Sequence, residues 1–202
     1  MLVARPHDLL RLVGPAALAV GAPEWAVYAI RTTPWVVVRR APAPEGLIAV
    51  GVRGSNRSER HGTHVALDDV REVVAPETLA HVASARRDLP AMRTLHALRP
   101  FLDGTGLPWG PTGSVGFELA TAQLTVTPDS DLDLLVRTCR VADTLPLLSR
   151  LHDEFRALAV PVDCQIETAS GAAALAEIVG EQPDVMMRTA EGPRLVARTS
   201  VP

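Results

Sequence analysis

The chain has 202 residues, enough for one domain or two small ones, and an ordinary globular composition with 47% hydrophobic residues, 21% charged residues and a net charge of −3. This balance excludes a general nucleic-acid binder, which is usually strongly basic. All 20 basic residues are arginines. Lysine chemistry of the Schiff-base or P-loop type is therefore excluded, and a phosphate must be held by arginines or backbone N–H groups.

Two further features concern the cellular compartment. Cys139 and Cys164 are too few for a disulfide framework, and no cysteine–histidine pattern indicates zinc. They predict two core thiols in a reducing environment. The apolar run of residues 9–30 contains charged residues and prolines, which makes it a poor membrane span. We expect a cytoplasmic protein that binds neither a membrane nor nucleic acid.

The N-terminal part predicts short elements separated by turns. Asp8 is typical of a helix N-cap and predicts a helix over residues 9–13, ended by Gly14 and Pro15. The β-rich runs 35–39 and 47–52 predict a hairpin with a proline-stiffened loop.

Two helices are predicted next. Pro76 and the acid after it are typical of a helix start and predict a helix over residues 77–87. Pro90 ends that helix, and a second one covers residues 92–102. We place a domain boundary near residue 75.

The remainder alternates predicted strands with predicted helices, which indicates an α+β or mixed α/β fold. The predicted elements are a strand at residues 107–109, a loop at 110–116, a strand at 131–137, a helix from Asp143 or Thr144 to residue 158, a strand at 160–167, a helix at 171–179, and a hairpin of residues 185–188 and 194–197.

The strand at residues 131–137 carries the most informative pattern. Asp131 and Asp133 alternate with apolar residues, so both carboxylates lie on one face, with Cα atoms roughly 6.6 Å apart. Two neighbouring carboxylates repel each other, and a divalent cation between them would remove that repulsion. Mg²⁺ prefers one or two carboxylates together with substrate phosphates. The pattern therefore indicates phosphoryl-transfer chemistry, although alternating acids also occur on solvent-facing edge strands.

Three other positions support this interpretation. Asp163 is a third acid on a later strand, where a salt-bridged strand-end residue is the alternative. Gly113 and Ser114 offer a backbone turn and a hydroxyl to a phosphate, although a plain turn is equally consistent with them. The spacing differs from that of a P-loop, which also requires lysine.

An arginine-rich segment follows the first predicted hairpin. Arg53, Arg57 and Arg60 lie among glycine and serine residues. They predict either a polyphosphate clamp or a solvated loop.

The central motifs resemble those of a known family. Gly113-Ser114 with residues 130–134 resembles the signature of polymerase-beta-type nucleotidyltransferases, and residues 109–120 are similar to the malonate decarboxylase holo-acyl-carrier-protein synthases. Residues 5–10 and 51–54 are similar to the N-terminal half of that family. Sixteen residues separate Ser114 from Asp131, more than in the smallest nucleotidyltransferases, and a longer hairpin would fit them.

The resemblance implies a β-rich substrate or partner domain at residues 1–75 and a nucleotidyltransferase-like catalytic domain of mixed sheet flanked by helices at residues 76–202. Enzymes of the family transfer phosphoribosyl-dephospho-CoA from 2′-(5-triphosphoribosyl)-3′-dephospho-CoA to a serine of the apo acyl-carrier subunit of malonate decarboxylase, with release of pyrophosphate. It further implies that Asp131 and Asp133 hold an essential Mg²⁺ or Mn²⁺. In such a mechanism we expect Asp163 either to help hold the metal or to accept the proton of the serine hydroxyl.

Several alternatives remain at this point. The acceptor could be the carrier of citrate lyase, a small antibiotic, a protein side chain or an RNA end. A non-catalytic nucleotide-binding regulator on the same fold is a further possibility.

Overall fold

The computed structural model describes residues 4–18, 21–54, 58–84, 86 and 88–202. The chain divides into two compact units, Met1–Ala75 and Pro76–Pro202. Each unit is built on its own sheet and has its own hydrophobic core.

The N-terminal unit is built on a five-stranded antiparallel sheet of order β4-β3-β2-β1-β5. Its elements are β1 (Leu9–Leu12), α1 (Glu24–Thr32), β2 (Trp35–Val38), β3 (Leu47–Arg53), β4 (Arg60–Ala66) and β5 (Val70–Val74). Alternate residues of the strands are buried with Ala26 and Ile30 of α1 in one core. The residues between them lie on the opposite face of the sheet.

The C-terminal unit is built on a six-stranded sheet of order β11-β10-β9-β8-β7-β6. Its elements are α2 (Pro76–Leu79), α3 (Pro90–Asp103), β6 (Trp109–Pro111), α4 (Gly113–Thr121), β7 (Leu132–Arg137), α5 (Val141–Arg156), β8 (Val162–Thr168), β9 (Gly171–Ala174), α6 (Leu175–Val179), β10 (Asp184–Thr189) and β11 (Gly192–Ala197). β7 and β8 are parallel and are joined through α5, whereas the other strand pairs are antiparallel. The predicted mixed α+β fold is confirmed.

The core of this unit determines which way β7 presents its side chains. Leu132, Leu134 and Val136 are buried with apolar residues of α3 and α5. Because side chains alternate along a strand, Asp133 lies on the other face of the sheet. The carboxylate is thereby kept out of the apolar core.

Several predicted elements differ from the structure. The predicted helix at residues 9–13 is wrong, because this segment is β1 and pairs with both β2 and β5. The helix predicted over residues 77–87 is only the four-residue α2. The predicted loop at 110–116 contains β6 and the start of α4, and the predicted helix at 171–179 begins as β9.

The predicted hairpins of β2 with β3 and of β10 with β11 are confirmed. Among the described residues, every helix is too short or insufficiently apolar to cross a bilayer.

Candidate active site

The two acids of the central motif lie at the start of β7. Asp131 directly precedes the strand and Asp133 is its second residue, and both are half-buried. Leu132 between them is fully buried, and its N–H donates a 2.9 Å hydrogen bond to the carbonyl of Pro161. The apolar neighbours thus hold the backbone of β7 in place while the acids stay partly accessible to solvent.

Gly113 lies against the carboxylate of Asp133. The register of β6 with β7 pairs Pro111 with Leu134, and the N–H of Thr112 donates to the carbonyl of Asp133 at 2.9 Å. Gly113 has φ of 58°, in the left-handed region, and a Cβ added to it would overlap the Asp133 carboxylate. Glycine is therefore required here both for backbone conformation and for space.

Ser114 lies in the first turn of the nine-residue α4 rather than in a loop. It is half-buried, and its carbonyl accepts a 2.8 Å hydrogen bond from the hydroxyl of Thr125. The first-turn N–H groups of a helix have no partners within the helix, and negative charge is favoured beside them. The chain between Ser114 and Asp131 thus contains α4 and an irregular segment with a turn, not the longer hairpin that was predicted.

Asp163 is brought next to Asp133 by strand pairing. The two acids are register partners on the parallel strands β7 and β8, so their backbones are about 4.8 Å apart and their side chains share a face. Asp163 is exposed and lines a cavity of about 320 Å³ together with His152 and Arg156.

A second cavity, of about 530 Å³, lies beside the start of β7. Its lining includes Arg93 and Thr94 of α3 together with Asp129 and Ser130, the two residues before Asp131. Asp131 and Asp133 are not among its lining residues, so the cavity borders the turn before β7 rather than the acids themselves.

The thiol of Cys164 lies beside this site but takes no part in its chemistry. Burial raises its pKa far above the ordinary value, and the adjacent charge of Asp163 raises it further. The thiol therefore stays protonated and unreactive at neutral pH. The other cysteine, Cys139, is exposed, so its predicted core position is wrong.

The carboxylates of Asp131 and Asp133 would suit a cation that takes its remaining ligands from water and from a bound substrate. Within the described part of the chain, no group of three or more histidine, cysteine, aspartate or glutamate side chains could hold a metal ion. Asp131 and Asp133 offer two carboxylates, and Gly113 places no side chain against Asp133. Two carboxylates completed by water and substrate phosphates are the environment that Mg²⁺ usually accepts in proteins.

The sequence analysis missed the role of Glu118. This residue of α4 is only 6% exposed, and its Oε2 accepts 2.8 Å hydrogen bonds from the N–H groups of Thr125 and Val126. Nη1 of Arg86 donates to the same oxygen at 3.2 Å. Glu118 thereby fixes α4 to the segment that leads to Asp131.

The predicted arginine group lies in the N-terminal unit. Arg53 and Arg60 are exposed register partners at the ends of β3 and β4. Arg57 lies outside the described residues.

Comparison with protein families divides the chain in the same place as its fold. Residues 5–76 match the model described as "Phosphoribosyl-dephospho-CoA transferase MdcG N-terminal domain". Residues 78–199 match the corresponding C-terminal domain.

Curated relatives align with nearly the whole chain. A phosphoribosyl-dephospho-CoA transferase of Pseudomonas fluorescens (strain Pf0-1) is 42% identical over 191 residues, covering 95% of this chain and 92% of the relative. The protein of the same name from Pseudomonas aeruginosa is 42% identical, with 95% and 91% covered. That of Azotobacter vinelandii is 39% identical, with 96% and 93% covered. No solved structure matches the chain. The chain therefore belongs to the phosphoribosyl-dephospho-CoA transferase family, and it is an enzyme rather than a non-catalytic regulator.

Proposed function

We propose that the protein transfers the phosphoribosyl-dephospho-CoA group from 2′-(5-triphosphoribosyl)-3′-dephospho-CoA to a serine of the apo acyl-carrier subunit of malonate decarboxylase. The observation that carries the proposal is the contact of the Asp133 carboxylate with Gly113 at the start of α4, in a chain of this transferase family. It joins a cation-binding acid to backbone N–H groups, the two kinds of group that phosphoryl transfer needs.

Asp131 and Asp133 would hold Mg²⁺ or Mn²⁺. When bound, the cation would offset negative charge on the phosphate groups of the donor. The residues themselves would position the donor, because the N–H groups of Gly113 and Ser114 would bind its phosphate oxygens.

Asp163 is the proposed proton acceptor. Its side chain is exposed, and it is the register partner of Asp133. Among the described residues, no group of three acidic side chains is arranged to hold a metal ion. The serine oxygen would form a bond to the α-phosphorus while the bond from that phosphorus to pyrophosphate breaks. The serine proton would pass to the Asp163 carboxylate.

Arg53, Arg57 and Arg60 remain proposed phosphate-binding residues. Support comes from the exposure of Arg53 and Arg60 and their direct pairing across β3 and β4. Arginine forks suit phosphate oxygens better than any other side chain.

Asp131→Asn and Asp133→Asn test the assignment of the acids. Each removes one negative charge without changing the size of the side chain, so we expect loss of pyrophosphate release with an unchanged circular dichroism spectrum. Asp153→Asn, at an exposed position of α5, is the matched control and should retain full activity. Retained turnover in either active-site variant would contradict the assignment.

A further inference from the structure

Cationic side chains gather on one face of the N-terminal sheet, opposite its apolar core. Gly51 pairs with Gly62 across β3 and β4, and Arg53 pairs with Arg60 two residues further along. Because residues two apart on a strand share a face, both pairs lie on the same side of the sheet. Val50, Val52 and Val65 lie on the other side, within the core.

Arg39 extends across this face from the end of β2. A Cβ built on Gly51 would lie 3.4 Å from Cδ of Arg39, and one built on Gly62 would overlap its guanidinium group. Glycine inside a strand weakens it and often marks a close approach by another group. Two facing glycines here leave room for one long side chain to lie flat across β3 and onto the edge strand β4.

The three arginines bring like charges to one end of this face. In the residues that the structure describes, the guanidinium groups of Arg39, Arg53 and Arg60 form no hydrogen bond or ion pair. Glu59, the nearest acid along the chain, lies against Gly54 instead. Like charges directly opposite each other on paired strands destabilise a sheet. An anion bound between them would reverse that effect.

We propose that Arg39, Arg53 and Arg60 form an oxyanion-binding face for a diphosphate or triphosphate group, with Gly51 and Gly62 keeping the guanidinium of Arg39 in position. The face itself follows from the N-terminal unit alone. That its natural ligand is a phosphate chain of the dephospho-CoA donor rests on the proposed function.

The size of the face favours a phosphate chain over a protein partner. From β2 to β4 the face spans two strand separations, roughly 10 Å. A stable protein interface needs about 800 Å² from each partner, much more than three side chains at three strand ends. Planar guanidinium groups match phosphate oxygens with paired N–H donors, which gives a small site high selectivity for phosphate.

Calorimetric titration of the full chain with inorganic triphosphate and, separately, with 3′-dephospho-CoA tests this proposal. The titrations contain EDTA and constant salt, so that no divalent cation contributes. Arg39→Gln should weaken binding about tenfold, the size expected for losing a hydrogen bond to a charged group. Arg53→Gln and Arg60→Gln should act in the same direction.

Gly62→Ala tests whether binding depends on the position of the Arg39 guanidinium or only on the general attraction of an anion to positive charge. Its Cβ would displace the guanidinium of Arg39 while the number of charges on the chain stays the same. Binding should weaken although the thermal unfolding temperature is retained. The matched control is Arg71→Gln, which removes an exposed charge on β5 and should change the affinity by less than about twofold.

The outcomes are distinguishable. Loss of binding to only one of the two probes in Arg39→Gln supports the face and assigns it to the triphosphate or to the diphosphate of the donor. Wild-type affinity in both Arg39→Gln and Gly62→Ala, or an equal loss in Arg71→Gln, overturns it. If the probes bind in an arginine-dependent manner but the enzyme transfers no phosphoribosyl-dephospho-CoA to the carrier, the proposed function is contradicted while the oxyanion-binding face is supported.

Discussion

At the scale of single residues, the candidate site depends on the absence of a side chain at Gly113. Its left-handed backbone and the carboxylate of Asp133 against its Cα leave no room for a side chain. The acid and the start of α4 can therefore approach each other closely, as the binding of one phosphate by both would require.

Gly113→Ala should impair transfer much more than stability. The left-handed conformation alone costs an alanine roughly 1–2 kcal/mol, which urea unfolding would measure. The added Cβ must also displace the Asp133 carboxylate, and misplacing a catalytic group by 1 Å can cost on the order of a hundredfold in rate.

Gly106→Ala separates these two effects. Gly106 has a similar φ of 70°, and nothing lies within 4 Å of an added Cβ. This control should show a comparable loss of stability with normal transfer. Full transfer in Gly113→Ala would show that the contact with Asp133 is dispensable.

At the scale of elements, α4 is held by a buried carboxylate. Glu118 accepts hydrogen bonds from two backbone N–H groups and from Arg86, and Thr125 donates back to the carbonyl of Ser114. These bonds attach α4 to the middle of the segment that leads to β7. They fix the start of α4 relative to the acids.

We predict that Glu118→Ala lowers the free energy of unfolding by roughly 3 kcal/mol, because it leaves the buried N–H of Val126 without its partner and removes hydrogen bonds to a charged group. Chemical denaturation measures this change. Glu154→Ala, an exposed acid on α5, should stay within about 0.5 kcal/mol of the wild type. Equal effects of the two substitutions would contradict a stabilising role of the Glu118 hydrogen bonds.

The same scale shows what sequence patterns can predict. The hairpins β2–β3 and β10–β11 follow from local alternation and from turn residues such as Gly192, and both were predicted correctly. The four residues of β1 form an apolar run that fits a helix equally well, and only their long-range pairing with β2 and β5 makes them a strand.

The composition of the site was likewise only partly predictable. The alternation of Asp131 and Asp133 with leucines is a local signal, and the two strands that bring Asp163 to Asp133 were predicted. Gly113 and Ser114 were predicted to share a site with the acids, but the close contact of Gly113 with the Asp133 carboxylate, the ion pair of Arg86 with Glu118 and the position of Arg39 over Gly62 depend on tertiary packing. No local pattern could predict them.

At the scale of the whole molecule, the chemistry is divided between two units. Gly113, Ser114 and the three acids belong to the C-terminal unit, whereas the arginine face belongs to the N-terminal unit. The family matches, residues 5–76 and 78–199, follow the same division. We therefore propose phosphoryl transfer for the C-terminal unit and an additional phosphate-binding role for the N-terminal unit.

The most direct test is the intact mass of the apo malonate decarboxylase carrier after incubation with the full chain, Mg²⁺ and the triphosphoribosyl-dephospho-CoA donor. We predict a gain equal to one phosphoribosyl-dephospho-CoA group, with one pyrophosphate released per carrier. EDTA or the Asp131→Asn variant should abolish the gain. A carrier that stays unmodified while the carrier of citrate lyase gains the group, or while an ordinary nucleoside triphosphate is consumed, would contradict the proposed acceptor or donor.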